Sequence, residues 1–167
     1  VESENASGGE KTATYDVTDA GTLTLENVET NVKTLTVPST VKAADGNTYA
    51  VTAIAKAAVK GETTITKVKV GKNIETIGAG AFRDCTSLKS VTIGSGVTKI
   101  SKNAFRGDSK LKSIVINASS LKSVGKNAFS GISSKAVITL KGTAKQKAKA
   151  EKLIKKSGLS SKVTIKK

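Results

Sequence analysis

VKVGKNIETIGAGAFRDCTSLKS (residues 68–90), VTIGSGVTKISKNAFRGDSKLKS (91–113) and IVINASSLKSVGKNAFSGISSKAV (114–137) are three copies of one unit. Val68 to Val91, Ile77 to Ile100, Phe82 to Phe105 and Leu88 to Leu111 are each separated by a step of 23. The next step also starts at 23, Val91 to Ile114. It becomes 24 after one extra residue near Ala118-Ser119-Ser120, as Phe105 to Phe129 and Ile116 to Leu140 record. A fixed period of roughly 20–50 residues marks an array of stacked units.

Each unit has the same physical logic. Val91 and Ile93 point inward and Thr92 outward, the period of two that defines a strand. Gly94-Ser95-Gly96 makes a turn, and Val97 and Ile100 carry the chain across the back. Asn103-Ala104-Phe105 then brings a small and a large residue inward together, and Leu111 closes the coil. One such coil cannot bury its own apolar side, but stacked coils bury a continuous core. The three phenylalanines are expected to form a column.

The period runs backward as well. Ile54, Val59 and Ile65 lie one such step before Ile77, Phe82 and Leu88, whereas Leu35 and Val37 lie 33 before Val68 and Val70. The first repeat therefore carries about ten extra residues, centred on Ala44-Asp45-Gly46-Asn47-Thr48. Asp-Gly flanked by Val41 and Val51 predicts a β-hairpin excursion near 42–51. Four to five coils are expected.

The stretch IETIGAGAFRDCTSLKSVTIGSGV and its partners resemble the BspA-like (Treponema-type) leucine-rich-repeat family of bacterial cell-surface proteins. Ile-Gly-x-x-Ala-Phe, Cys-x-x-Leu and Val-x-Ile recur at fixed offsets, and the resemblance covers roughly residues 32–140. Val59 replaces the family's Phe, and Glu62, Asp108 and Ile132 replace Cys85 in their repeats. The resemblance implies a β-rich solenoid, a right-handed leucine-rich-repeat superhelix of short parallel strands. It also implies a non-catalytic role in protein binding or host attachment, extracellular and at the bacterial surface or secreted.

Repeat arrays need caps. Residues 1–12 are polar, contain Gly8-Gly9 and read as disordered. Residues 13–31 read as an N-terminal capping hairpin, with strands at 13–17 and 22–25 joined through Asp19-Ala20-Gly21. Repeats fill 32–140. Residues 141–167 read as a C-terminal cap, so 13–167 form one domain. Thr143-x-x-Gln146 has the form of a capping box, a helix is predicted over 144–156 with Gly158 as its C-cap, and Ala150, Leu153 and Ile154 form its apolar stripe. A last strand is predicted over 162–166.

Aromatic residues make up 3% of the chain, so the core must be filled by Val, Ile, Leu and Ala. No apolar run approaches the roughly 18–20 residues of a membrane span. The opening Val-Glu-Ser-Glu-Asn reads as a mature or trimmed chain from which any signal peptide has gone. Net charge is +15 and unevenly placed: residues 1–50 carry −5 and residues 51–167 carry +20, nearly all of it lysine.

Much chemistry is excluded. With no histidine, the usual general base, the Ser-His-Asp triad and His-based zinc sites are unavailable. A single cysteine, Cys85, forms neither an internal disulfide nor a thiolate metal cluster, and its place in the repeat marks a buried structural thiol. Asp84 and Asp108 lie 24 apart, close to one repeat, but neither sits in an apolar sequence context suited to a glycosidase carboxylate pair. Gly78-Ala79-Gly80 and Gly94-Ser95-Gly96 lack phosphate-loop spacing and read as turns. No enzyme activity, cofactor or metal is expected.

What remains is surface. The outward positions of the strands predict a ladder of Thr36, Lys69, Thr92, Val115 and Thr139 flanked by Lys67, Ser90 and Ser113. Short polar side chains with an isolated valine suit a flat protein or glycan partner on a host or cell surface. An alternative is a polyanion-binding module for teichoic acid or an acidic glycan, using the lysine-rich surface. Nucleic acid is disfavoured, because two arginines and buried aromatics give no stacking platform. A structural spacer of a larger wall protein is a third reading. A monomer is expected.

Overall fold

The computed structural model describes residues 2–4 and 11–167. Strands β1 (Glu2–Glu4), β2 (Lys11–Val17) and β3 (Leu23–Thr30) open the chain. They are followed by β4 (Thr34–Val37), β5 (Thr40–Lys42) and β6 (Thr48–Ile54). The coils continue through β7 (Lys67–Val70), β8 (Thr76–Ile77), β9 (Ser90–Ile93), β10 (Lys99–Ile100), β11 (Ser113–Asn117), β12 (Ser123–Val124) and β13 (Val137–Lys141). Helix α1 (Ala144–Lys156) and β14 (Thr164–Lys166) close it.

The long strands of successive coils form one parallel sheet in the order β14-β13-β11-β9-β7-β4. Its register is the sequence repeat: Val68 pairs with Val91, Val91 with Ile114, and Ile114 with Ile138. Six strands stack here, against an expectation of four to five coils. The extra strand is β14, which follows α1 and pairs parallel with β13. It was expected as part of the cap, and its backbone extends the repeat sheet instead.

A second sheet runs β1-β2-β3-β6-β8-β10-β12, with β5 paired antiparallel to β6 as the predicted hairpin. The third side of each coil is the Ala-Phe turn, held by its own backbone ladder. The N–H of Val59 donates to the carbonyl of Ala81, Phe82 to Ala104, and Phe105 to Ala128, each at 2.8–2.9 Å. Parallel pairing on three sides encloses one largely apolar interior, in which Phe82, Phe105 and Phe129 are buried and stacked.

The Ala-Phe turn needs left-handed backbone just before it. Ala57, Gly80, Asn103 and Asn127 occupy that position in successive coils, with φ between 58° and 62°. Glycine and asparagine accept it at little cost, whereas alanine does not. A second demand is close approach: a Cβ on Gly94 would stand 2.7 Å from the carbonyl oxygen of Gly71.

Both ends are covered. β2 and β3 form an antiparallel hairpin, and β3 then pairs parallel with β6, burying Tyr15, Leu23 and Leu25 over the first coil. Glu2–Glu4 pair with β2, to which Lys11 and Thr12 belong. Val1 and residues 5–10 lie outside the described residues. At the other end, the Thr143 hydroxyl accepts from the Gln146 N–H, and the Gln146 carboxamide accepts from the Thr143 N–H. Ser157 caps the helix and Gly158 leaves it at φ 86°. Ala150 and Ile154 bury against the last coil.

Candidate binding surfaces

The outward side chains of the long parallel sheet fall into two rows. One is Thr36, Lys69, Thr92, Val115, Thr139 and Lys166, each the direct partner of the next. The other is Thr34, Lys67, Ser90, Ser113, Val137 and Thr164, in the same register. All eight ladder residues expected from the sequence lie in these rows. Lys166, Thr34, Val137 and Thr164 join them; the strand alternation that placed the others reaches these four as well.

The rows are built by alternation. Leu35, Val68, Val91, Ile114 and Ile138 turn inward and are buried, which forces their neighbours out. Adjacent strands lie about 4.8 Å apart, so each row is a regular rank of short side chains. Thr36, Lys67, Lys69, Thr92 and Ser113 are exposed; Ser90, Val115 and Thr139 are half-buried. None of the six strands contains Asp or Glu. The face is therefore polar and cationic, with Lys33, Lys89 and Lys112 exposed just before its strands.

The buried chemistry is structural. Cys85 donates its thiol to the Val59 carbonyl at 3.1 Å. Burial, with help from nearby Asp108, pushes its pKa up to about 12, so it stays a thiol rather than a nucleophile. Asp108 is fully buried, and its Oδ1 accepts from the Cys85 N–H at 2.9 Å. Its Oδ2 has no partner. Burial pushes Asp108 up to about 9 against the opposing pull of that hydrogen bond, so it is a neutral acid at physiological pH. Asp84 is held by Arg83 at 3.0 Å in a left-handed turn. One carboxyl is sealed in the core and the other is ion-paired outside it, an arrangement without the open cleft of a glycosidase pair.

Among the described residues, no group of His, Cys, Asp or Glu has the size and proximity to hold a metal ion. No helix among them is long and apolar enough to cross a membrane. The ion pairs among them are Arg83–Asp84, Lys155–Glu151 and Lys167–Glu151. Most lysines therefore face solvent without a carboxylate partner. Two hollows collect such lysines with no acidic residue in the lining. One lies between α1 and the turn at Ala118–Lys122, and one lies over β10 and β12. The sequence points to a lysine-rich surface but to neither hollow: the first exists only once α1 folds against the Ala118–Lys122 turn, and the second only once β10 and β12 stack beside Ala79.

The family model for the BspA-type leucine-rich-repeat region matches residues 52–165, in six copies. No curated protein matches the chain in sequence. Among solved structures, a leucine-rich-repeat protein from Bacteroides capillosus ATCC 29799 superposes with a TM-score of 0.70 at 29% identity, over 78% of this chain and 94% of that one. A leucine-rich-repeat protein from Bacteroides ovatus ATCC 8483 gives 0.65 at 28% identity, over 77% of this chain and 36% of that one. A leucine-rich cell surface protein from Faecalibacterium prausnitzii A2-165 gives 0.51 at 22% identity, over 80% and 39%; at that identity the likeness is one of fold.

Proposed function

The chain belongs to the BspA-type leucine-rich-repeat family, and on that premise we propose that it is a non-catalytic binding module acting outside a bacterial cell. The six-stranded face is its recognition surface, and a protein on a host or neighbouring cell is its partner. The observation that carries this reading is the two unbroken rows: every strand contributes outward residues in register. Short hydroxyl side chains on a rigid sheet lose little conformational freedom on binding, whereas the lysines of the rows add charge at a cost in ordering. A flat rank of them offers contact area without a pocket, which fits a folded protein surface better than a small molecule. The absence of histidine supports the non-catalytic reading.

The test is capture by immobilised host matrix proteins, comparing the wild-type chain with the Lys69→Glu, Thr92→Glu double variant. These two residues are neighbours in one row. Loss of capture by about tenfold or more is expected if the row lies inside the interface. Undiminished capture by a correctly folded variant removes the sheet face as the recognition surface. A wild-type chain that captures nothing leaves the spacer reading.

A further inference from the structure

The groove between α1 and the turn at Ala118–Lys122 has a volume of about 460 Å³ and is lined by Lys122, Lys145, Lys149, Thr98, Ser119 and Ser120. From its walls we infer that it binds an acidic polysaccharide. This surface is separate from the sheet face, so neither reading depends on the other.

The groove is a product of two local departures from the repeat. The extra residue of the fourth coil lies in the Asn117–Ser120 turn, where Asn117 accepts from the Ser119 N–H. The Ser119 hydroxyl donates to the Ser95 carbonyl one coil earlier, at 3.2 Å. Helix α1 replaces the ordinary coil and supplies the opposite wall. Gln146 ties the walls together, accepting from Thr143 with Oε1 and donating from Nε2 to the Ser119 carbonyl at 3.5 Å. The site is therefore largely formed before any ligand arrives.

Its chemistry is one-sided. Lys122, Lys145 and Lys149 are exposed and belong to none of the ion pairs. Beside the groove, over the paired strands β10 and β12, lies a second hollow of about 420 Å³ lined by Lys99, Lys102 and Ser101, again without a carboxylate. Glu75 lies one coil before Thr98, and Glu151 of α1 is held by Lys155 and Lys167; neither lines the groove or the second hollow. Five unpaired ammonium groups along two adjoining hollows create a positive potential that favours a chain of anions over a single one.

The remaining lining selects the kind of polymer. Ser and Thr hydroxyls suit sugar hydroxyls, and the groove floor of Ala118 and Leu121 suits a sugar's apolar face. No aromatic or arginine lines either hollow, so the base-stacking platform of a nucleic-acid groove is missing. Sulfate and carboxylate share the anionic chemistry that lysine recognises, and separate arms of the experiment distinguish them.

The experiment titrates the full chain with dextran sulfate, polygalacturonate, neutral dextran and polyphosphate. Two triple variants of equal charge change are compared: Lys122→Gln with Lys145→Gln and Lys149→Gln in the groove, and Lys67→Gln with Lys69→Gln and Lys112→Gln at the sheet face. The inference predicts binding to dextran sulfate or polygalacturonate that weakens as salt screens it. It also predicts a loss of about tenfold or more in the groove variant, and about twofold or less in the sheet variant. Equal losses in both variants, binding of neutral dextran as tight as that of either acidic glycan, tighter binding of polyphosphate than of both, or no binding at all overturns it. Should the groove variant fail to fold, lysine acetylation of the wild-type chain under saturating polymer decides. Selective protection of Lys122, Lys145 and Lys149 supports the site, and uniform or absent protection overturns it.

Discussion

The ring of Phe105 lies parallel to that of Phe82, 5.2 Å away between centroids with the planes 3° apart, and Phe129 continues the stack at 5.4 Å and 1°. Parallel planes at these separations are offset stacks, a favourable aromatic geometry. They are also the plainest consequence of the repeat. A near-constant sequence interval becomes a vertical column when every coil has the same circumference.

Phe105 is the middle member, so its truncation removes both ring contacts. Phe105→Ala is expected to cost about 3–5 kcal/mol, a large part of the roughly 5–15 kcal/mol that holds a domain together. Phe105→Leu is expected to cost less. Urea unfolding followed by far-ultraviolet circular dichroism checks both; a Phe105→Ala midpoint close to wild type would mean that the column bears little of the stability.

Asp108 makes stability depend on pH in an unusual direction. An aspartate free in the unfolded chain titrates near 3.8, whereas in the folded chain burial raises Asp108 to about 9. Between those values the unfolded chain has released a proton that the folded chain keeps. Stability therefore falls as pH rises from about 4 toward 9, then levels off as far as this group is concerned. Cys85, pushed up from 9.0 to about 12, adds a further decline only above that range. Asp108→Asn retains an acceptor for the Cys85 N–H and cannot ionise. It is expected to remove the decline and to stabilise the chain near pH 8 by on the order of 1–3 kcal/mol. Melting temperatures of both proteins from pH 5 to about pH 9 check this; parallel curves would contradict it.

The repeat register, the Asp-Gly hairpin and the capped helix were legible because each rests on local chemistry: a fixed aromatic interval, a turn dipeptide, and Thr143 set three residues before Gln146. Asp108 was not. It stands where Cys85 stands one coil earlier, and sequence alone does not say that a carboxyl at that position is sealed inside and caps the neighbouring backbone. The last strand was expected over 162–166, but its place in the repeat sheet was not, because α1 interrupts the period before Thr164–Lys166 rejoins it. The eight ladder residues followed from alternation. The groove beside α1 did not, since it needs the tertiary fold of α1 over the fourth coil.

Ala57 is the one alanine in a left-handed row whose other members are glycine or asparagine. Its N–H donates to the Ala79 carbonyl at 3.0 Å, which holds the backbone there. Ala57→Gly is expected to stabilise the fold by about 1 kcal/mol, less the entropy cost of glycine. The reverse change one coil later, Gly80→Ala, is expected to destabilise through backbone strain, since the nearest atom to its Cβ is 3.6 Å away and no clash arises. Thermal melts of the pair should shift in opposite directions.

Gly94 is needed for space rather than conformation. Its Cβ would meet carbonyl oxygens of Gly71 at 2.7 Å and Val70 at 2.8 Å, both backbone atoms that cannot swing aside. Gly94→Ala is expected to push adjacent coils apart at a cost of about 1–3 kcal/mol. Amide hydrogen exchange should show faster opening at the Gly71 and Gly94 turns. Unchanged protection there would contradict the tight approach.

Either surface exists only if six long strands stack in one register. Nitroxide labels on cysteines replacing Thr34 and Thr164 read this directly, since Cys85 is buried and the two sites end one row of the sheet face. Five inter-strand steps of about 4.8 Å separate them. Pulsed electron resonance is expected to give a single narrow distance of about 24 Å, broadened only by the label arms. A broad distribution, or a distance well beyond the reach of five stacked strands, would contradict the continuous face and the functions assigned to it.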